Sequence, residues 1–173
     1  MASVIERRQL AFFADVYNSV NEPTIISFKH DKFQESPDAI CTLSNDEKKA
    51  IELTSVGAPK GTTARKTPHK NPDLSPLVRI LNRKLSYDYR EDGVSGVWLL
   101  VHMRLTLPRD LVEEAVSDIV IPSRFEKVFL EWPVPFDSSS GLAEGHDQQK
   151  ISINVLELPT FKHWSPNLPK PIH

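Results

Sequence analysis

At 173 residues, with 39% hydrophobic and 25% charged residues, the chain has the size and composition of one soluble globular domain with a substantial core, which excludes disordered, collagenous and disulfide-scaffold proteins. The net charge of −2 is near neutral, and the lone Cys41 excludes an internal disulfide and a cysteine-rich zinc site. There is no run of about 18 apolar residues, so no membrane span is expected. Glu6, Arg7, Arg8 and Asp15 interrupt the first apolar stretch, which argues against a signal-peptide core and for a cytoplasmic setting.

Val4, Ile5, Leu10, Phe12, Phe13, Val16, Tyr17 and Val20 recur at helical spacing, predicting an amphipathic helix over 3–20 with Ser3 as N-cap. The β-branched and aromatic stretch 24–29 predicts a first strand. Residues 33–43 and 49–55 read as two further strands joined by a tight turn, with Cys41 a buried, inert thiol in the first of them. Residues 57–72, rich in glycine and proline, form a loop, and a second helix is expected over 75–89 with Asp73 or Ser75 as cap and Pro76 in its first turn. The nearly continuous apolar run 97–105 predicts a central strand covered on both faces. A third helix over 108–119 and strands at 127–132 and 151–158 follow, separated by a long loop over 133–149. The tail from Pro159, with Pro166, Pro169 and Pro171, is expected to be extended.

The sum is an α/β protein in the broad sense, α+β with a mixed sheet flanked by helices, in the order α-β-β-β-α-β followed by α-β-β. The organisation expected is a single domain over 1–158 and an extended tail over 159–173.

Alternate residues of a strand share a face, so Asp38 lines one side of its strand with Ile40 and Thr42, and Glu52 one side of the next with Ala50 and Thr54. A turn centred on Asn45 or Asp46 sets Asp38 opposite or diagonal to Glu52, with side chains about 5–8 Å apart. Two carboxylates at that separation either share a divalent cation or repel.

This element order, with Pro37-Asp38 on the second strand and Glu52-Leu53-Thr54 on the third, resembles the PD-(D/E)XK nuclease superfamily, whose core is restriction-endonuclease-like. The resemblance covers residues 3–105. It implies a metal-dependent nuclease acting on DNA or RNA, with Asp38 and Glu52 holding Mg²⁺ or Mn²⁺. A helix-1 carboxylate often completes the family site; Glu6 is the match, with Glu35 and Asp15 as competitors. Thr54 departs from the family pattern, which has a lysine there. A threonine hydroxyl hydrogen-bonds but supplies no charge. Family members that lack that lysine are thought to recover it from the second helix, where Leu77, Ile80, Leu81 and Lys84 fall at spacings of three and four. Lys84 is the candidate, Lys60 and Lys48 are alternatives, and the other reading is that Lys84 snorkels past the stripe to water. Asp38, Glu52, Thr54 and Lys84 are therefore the candidate catalytic group, and Asp38, Glu52 and Glu6 the candidate metal ligands.

Charge placement is a separate clue. From Lys60 to Lys84 seven cationic residues face only Asp73, a surplus of +6 that leaves −8 for the rest of a chain of net −2. Lys60, Arg65, Lys66 and Lys70, just after the third strand, are placed to contact a phosphate backbone; the alternative is a solvated loop whose charges serve solubility. His102, on the face of Trp98 and Leu100, reads as a satisfied core histidine. His146, His163 and His173 lack zinc-site spacing, Ser138 lacks a nucleophile-elbow context, and 57–63 lacks phosphate-loop spacing. Tyr87, Tyr89, Trp132 and Trp164 suit either base stacking or core packing. Besides an active nuclease, two further classes remain: a catalytically silent member of the same fold that binds nucleic acid or a protein partner, and an unrelated α+β assembly protein. Homodimerisation is compatible with each.

Overall fold

Helix α1 (Val4–Val20) buries Leu10, Phe13 and Tyr17 at spacings of three and four, the stripe expected of a helix lying on a sheet. Its C-terminal end is fastened by Asn18, whose side-chain amide donates to the Ile25 carbonyl at 2.9 Å and whose oxygen accepts from the Ile25 N–H at 2.7 Å. The computed structural model describes residues 4–30, 37–57, 75–85, 93–104, 109–117, 121–122, 125–133, 153–158 and 160–161.

Strands β1 (Ile25–His30), β2 (Ala39–Leu43) and β3 (Lys48–Val56) form an antiparallel meander. The β2–β3 turn closes with the Asp46 N–H donating to the Leu43 carbonyl at 3.0 Å. Asp46 adopts φ 66°, a left-handed conformation that aspartate tolerates better than most residues. The turn fixes the register Ala39↔Ile51, Ile40↔Ala50 and Cys41↔Lys49. One more step along it brings Asp38 level with Glu52.

Helix α2 (Ser75–Leu85) follows β3 in the chain, and β4 (Gly96–Met103) then runs parallel to β3. Helix α3 (Arg109–Val116), the two-residue β5 (Ile121–Pro122), β6 (Lys127–Pro133), β7 (Ile153–Leu158) and the two-residue β8 (Thr160–Phe161) complete the described elements. The main sheet has six strands in the order β1-β2-β3-β4-β6-β7, with β4–β6 parallel and β6–β7 antiparallel. The fold is thus α+β, with a mixed sheet and three helices.

Alternation along β4 feeds two cores. Trp98 and Leu100 join Leu10, Phe13, Tyr17, Cys41, Ile51 and Phe129 under α1. Leu99, Val101 and Met103 join Leu77, Leu81, Val112, Val116 and Leu130 under α2 and α3. Burial on both faces explains why the 97–105 run reads as nearly continuous apolar sequence. Each fully buried large side chain contributes about 1.5–3 kcal/mol of apolar transfer free energy, so both helical layers are strongly attached.

The expected elements are present with shifted ends, and two were not foreseen. β5 and β8 pair parallel to each other in a separate two-stranded sheet. Two residues, one of them Pro122, carry no period for a sequence pattern to reveal. Thr160 and Phe161 open the stretch expected to be an extended tail. The expected caps Ser3 and Asp73, the 57–72 loop beyond Gly57, and the 133–149 loop beyond Pro133 lie outside the described residues. No helix among the described residues is long and apolar enough to cross a membrane.

Candidate functional site

Asp38, Glu52 and Lys84 meet on the sheet face covered by α2. The β2 burial pattern sends Ala39, Cys41 and Leu43 into the α1 core, so Asp38, next to Ala39, falls on the other face. Glu52 lies on that same face of β3, between Ile51 and Leu53, both of which pack in the α1 core. Glu52 is only 8% exposed.

Lys84 reaches the pair from the last turn of α2. Leu77 and Leu81 are buried and Ile80 is packed against them, so the lysine stem continues an apolar stripe and delivers its ammonium to Glu52 Oε1. A cation in the last helical turn is also favoured by the helix dipole. Burying the Glu52 carboxylate without a counter-charge would cost several kcal/mol, on the order expected for an isolated ion out of water; Lys84 supplies that charge.

Asp38 is held differently. One carboxylate oxygen accepts the Leu53 N–H at 2.7 Å, which fixes its orientation toward β3. Burial pushes its carboxyl above the usual value; the Leu53 hydrogen bond and the Lys84 charge oppose this, while Glu52 and, to a smaller extent, Glu6 reinforce it. The net direction is upward, so negative potential around Asp38 and loss of water outweigh the lysine and the backbone donor.

The remaining candidates divide by position. Thr54 shares the Glu52 face, two residues further along β3 and level with Val101. Glu6, in the first turn of α1, adds the smallest of the charge effects on Asp38. Among the described residues no three of His, Cys, Asp and Glu come together as a metal-binding group, so two carboxylates, not three, are gathered at this point. Asp15 is exposed further along α1. Lys48 stands four strand residues before Glu52, about 13 Å away at the usual strand rise, too far to substitute for the missing lysine. Lys60, Arg65, Lys66, Lys70 and Glu35 lie outside the described residues.

Elsewhere, His102 Nδ1 lies 2.8 Å from Glu131 Oε1, the satisfied core histidine its strand position suggested. Its partner Glu131 was not anticipated: it is fully buried and comes from β6, level with His102 in the parallel register. Trp132 is core. Burial pushes the Cys41 thiol up to about 11, keeping it protonated and inert at neutral pH. Lys49 was also missed. It is buried at the start of β3, 2.9 Å from a Glu126 oxygen and 3.1 Å from Glu47. The available signal was its alternation with Ile51 and Leu53, which puts it on the buried α1 face.

No protein-family model matches the chain, and no curated protein is significantly similar to it.

Proposed function

We propose that the protein is a metal-dependent phosphodiesterase of the restriction-endonuclease-like class, cleaving DNA or RNA. The observation that carries this reading is the arrival of Lys84 at Glu52, beside Asp38, from a helix. A lysine next to two carboxylates is the charge set that Thr54 leaves incomplete on β3. The element order, with an antiparallel β1–β2–β3 meander and a parallel β3–β4 pair separated in the chain by α2, supports the same reading.

The donor set suits a hard divalent cation. Asp38 and Glu52 offer oxygen only and stand level on one face, and the carboxyl of Asp38 is raised chiefly by burial, with the Glu52 charge adding to it. Mg²⁺ typically takes one or two protein carboxylates and completes its shell with water and phosphate oxygens. When bound, such an ion supplies Lewis acidity at the phosphate and a more acidic attacking water. The protein side chains do the rest. The Leu53 N–H keeps the Asp38 carboxylate in one orientation, which lowers the ordering cost of binding. Lys84 offsets negative charge developing on the phosphoryl oxygens, and the Thr54 hydroxyl orients water by hydrogen bonding. A water oxygen forms a new bond to phosphorus, the bond to the leaving oxygen breaks, and the products are a phosphomonoester and an alcohol. The basic 60–70 segment, next in sequence to β3, provides the cations that hold the backbone.

The test is cleavage of plasmid DNA and of a structured RNA by the whole chain, with Mg²⁺ or Mn²⁺ and with EDTA. Fragments are expected only with metal, and Asp38→Ala or Glu52→Ala should lower the rate at least about a hundredfold. Cleavage near the wild-type rate in either variant would remove the assignment. Salt-sensitive binding without cleavage or metal dependence would instead identify a silent nucleic-acid-binding module of the same fold.

A further inference from the structure

Glu52 is nine-tenths buried, and an ammonium already stands where a cation would approach it. That ammonium comes from α2 and not from the sheet. It is carried on a four-carbon stem one residue from the C-terminal end of α2, and a lysine stem has enough rotatable bonds to swing its charge several ångströms at little cost. Asp38, across the strand pair, is oriented by the backbone N–H of Leu53. One carboxylate is therefore held by the backbone and the other by a movable charge.

We infer that Lys84 is an internal stand-in for the divalent cation, occupying Glu52 in the metal-free protein and leaving it when metal binds. This rests on the reading of Asp38 and Glu52 as a metal site and adds its regulation. A divalent ion shared by those carboxylates would sit within a few ångströms of the ammonium, and like charges that close in a desolvated place repel strongly. Lys84 must then turn to another anion. A phosphodiester substrate brings one to the site, so metal and substrate each favour the other's binding by taking opposite ends of the same ion pair. The lysine thereby keeps the two-carboxylate face from filling with metal until a phosphate is at hand. It also spares the fold an unbalanced buried glutamate while the site waits.

The discriminating experiment is calorimetric titration of Mn²⁺ alone into the full chain, comparing wild type with Lys84→Met, Lys84→Gln and Lys84→Arg, with circular dichroism to confirm folding. Loss of the competing charge is expected to tighten Mn²⁺ binding about tenfold in Lys84→Met, within the usual range for coupled sites. Lys84→Gln, which keeps a hydrogen-bond donor to Glu52, should shift the same way, so the outcome survives if the methionine variant fails to fold. Lys84→Arg should remain near wild type. If wild type binds Mn²⁺ but neither neutral variant binds it more tightly, the stand-in role is overturned while the metal site survives. If neither wild type nor the neutral variants bind Mn²⁺, both are overturned.

Discussion

Strand β3 carries two buried lysine–glutamate clusters, one on each face, and they are built to opposite ends. Toward α1, Lys49 sits 2.9 Å from a Glu126 oxygen and 3.1 Å from Glu47. Burial alone would lower the Lys49 ammonium's pKa, but its bonds to Glu126 and Glu47 outweigh that, and the group ends raised. The cation is saturated by carboxylates. Toward α2, Lys84 touches Glu52, while the second carboxylate, Asp38, takes a backbone N–H and is itself raised by burial and by Glu52. Here burial, more than any neighbour, disfavours the ionised carboxylate. Similar residue types make a clamp, a cation held by two carboxylates, in one place and a lysine-paired glutamate beside a backbone-held aspartate in the other, and it is the second arrangement that the proposed metal site uses.

The comparison breaks most sharply if the α2-face carboxylates prove dispensable. Glu52→Ala should lower metal-dependent cleavage at least about a hundredfold, beyond what loss of a merely supporting group produces, measured as initial rate on plasmid DNA or RNA. Lys49→Met should do the reverse, leaving cleavage and metal affinity unchanged. It should lower unfolding free energy by about 2 kcal/mol in urea titration, less than a fully buried pair because Glu47 and Glu126 keep part of their hydration.

A smaller effect sharpens the picture of the clamp. A methyl group at Gly96, level with Lys49 on the neighbouring strand, would lie 2.0 Å from a Glu126 carboxylate oxygen. Gly96→Ala should therefore push Glu126 off Lys49 and cost about 1 kcal/mol, visible as a lower melting temperature. The smallest change has the opposite sign. A raised carboxyl in the folded state means that ionised Asp38 detracts from stability once pH exceeds its folded value, and that the penalty vanishes below the ordinary value of 3.8. Asp38→Asn, which keeps an acceptor for Leu53, should gain about 0.5–1 kcal/mol at neutral pH. That gain should fade as pH drops through the raised value, in thermal melts across pH 3 to 7.

How far the molecule was legible in its sequence follows from the range of each signal. β3 and β4 announced themselves because alternation and continuous hydrophobicity are local. Lys84 was readable because three- and four-residue spacing carried the Leu77–Leu81 stripe onto it. The level placement of Asp38 and Glu52 needed only a turn position, and the β2–β3 register centres it on Asn45. Glu131 and Glu126 were not legible. They meet His102 and Lys49 across 29 and 77 residues of chain, and nothing local in a glutamate within or just before a strand marks the partner it will meet. Lys49 was hidden by its residue type, since lysine ordinarily reads as surface. Glu6 was assigned through family resemblance alone; its charge adds slightly to the raised Asp38 carboxyl, and among the described residues it joins no three-ligand group.

The most direct measurement is a calorimetric Mn²⁺ titration of the whole chain beside Asp38→Ala. Saturable binding in the wild type, lost in the variant, is the result expected of a carboxylate pair that holds a metal. Binding that survives the substitution, or none in the wild type even with a phosphodiester oligonucleotide present, would contradict it.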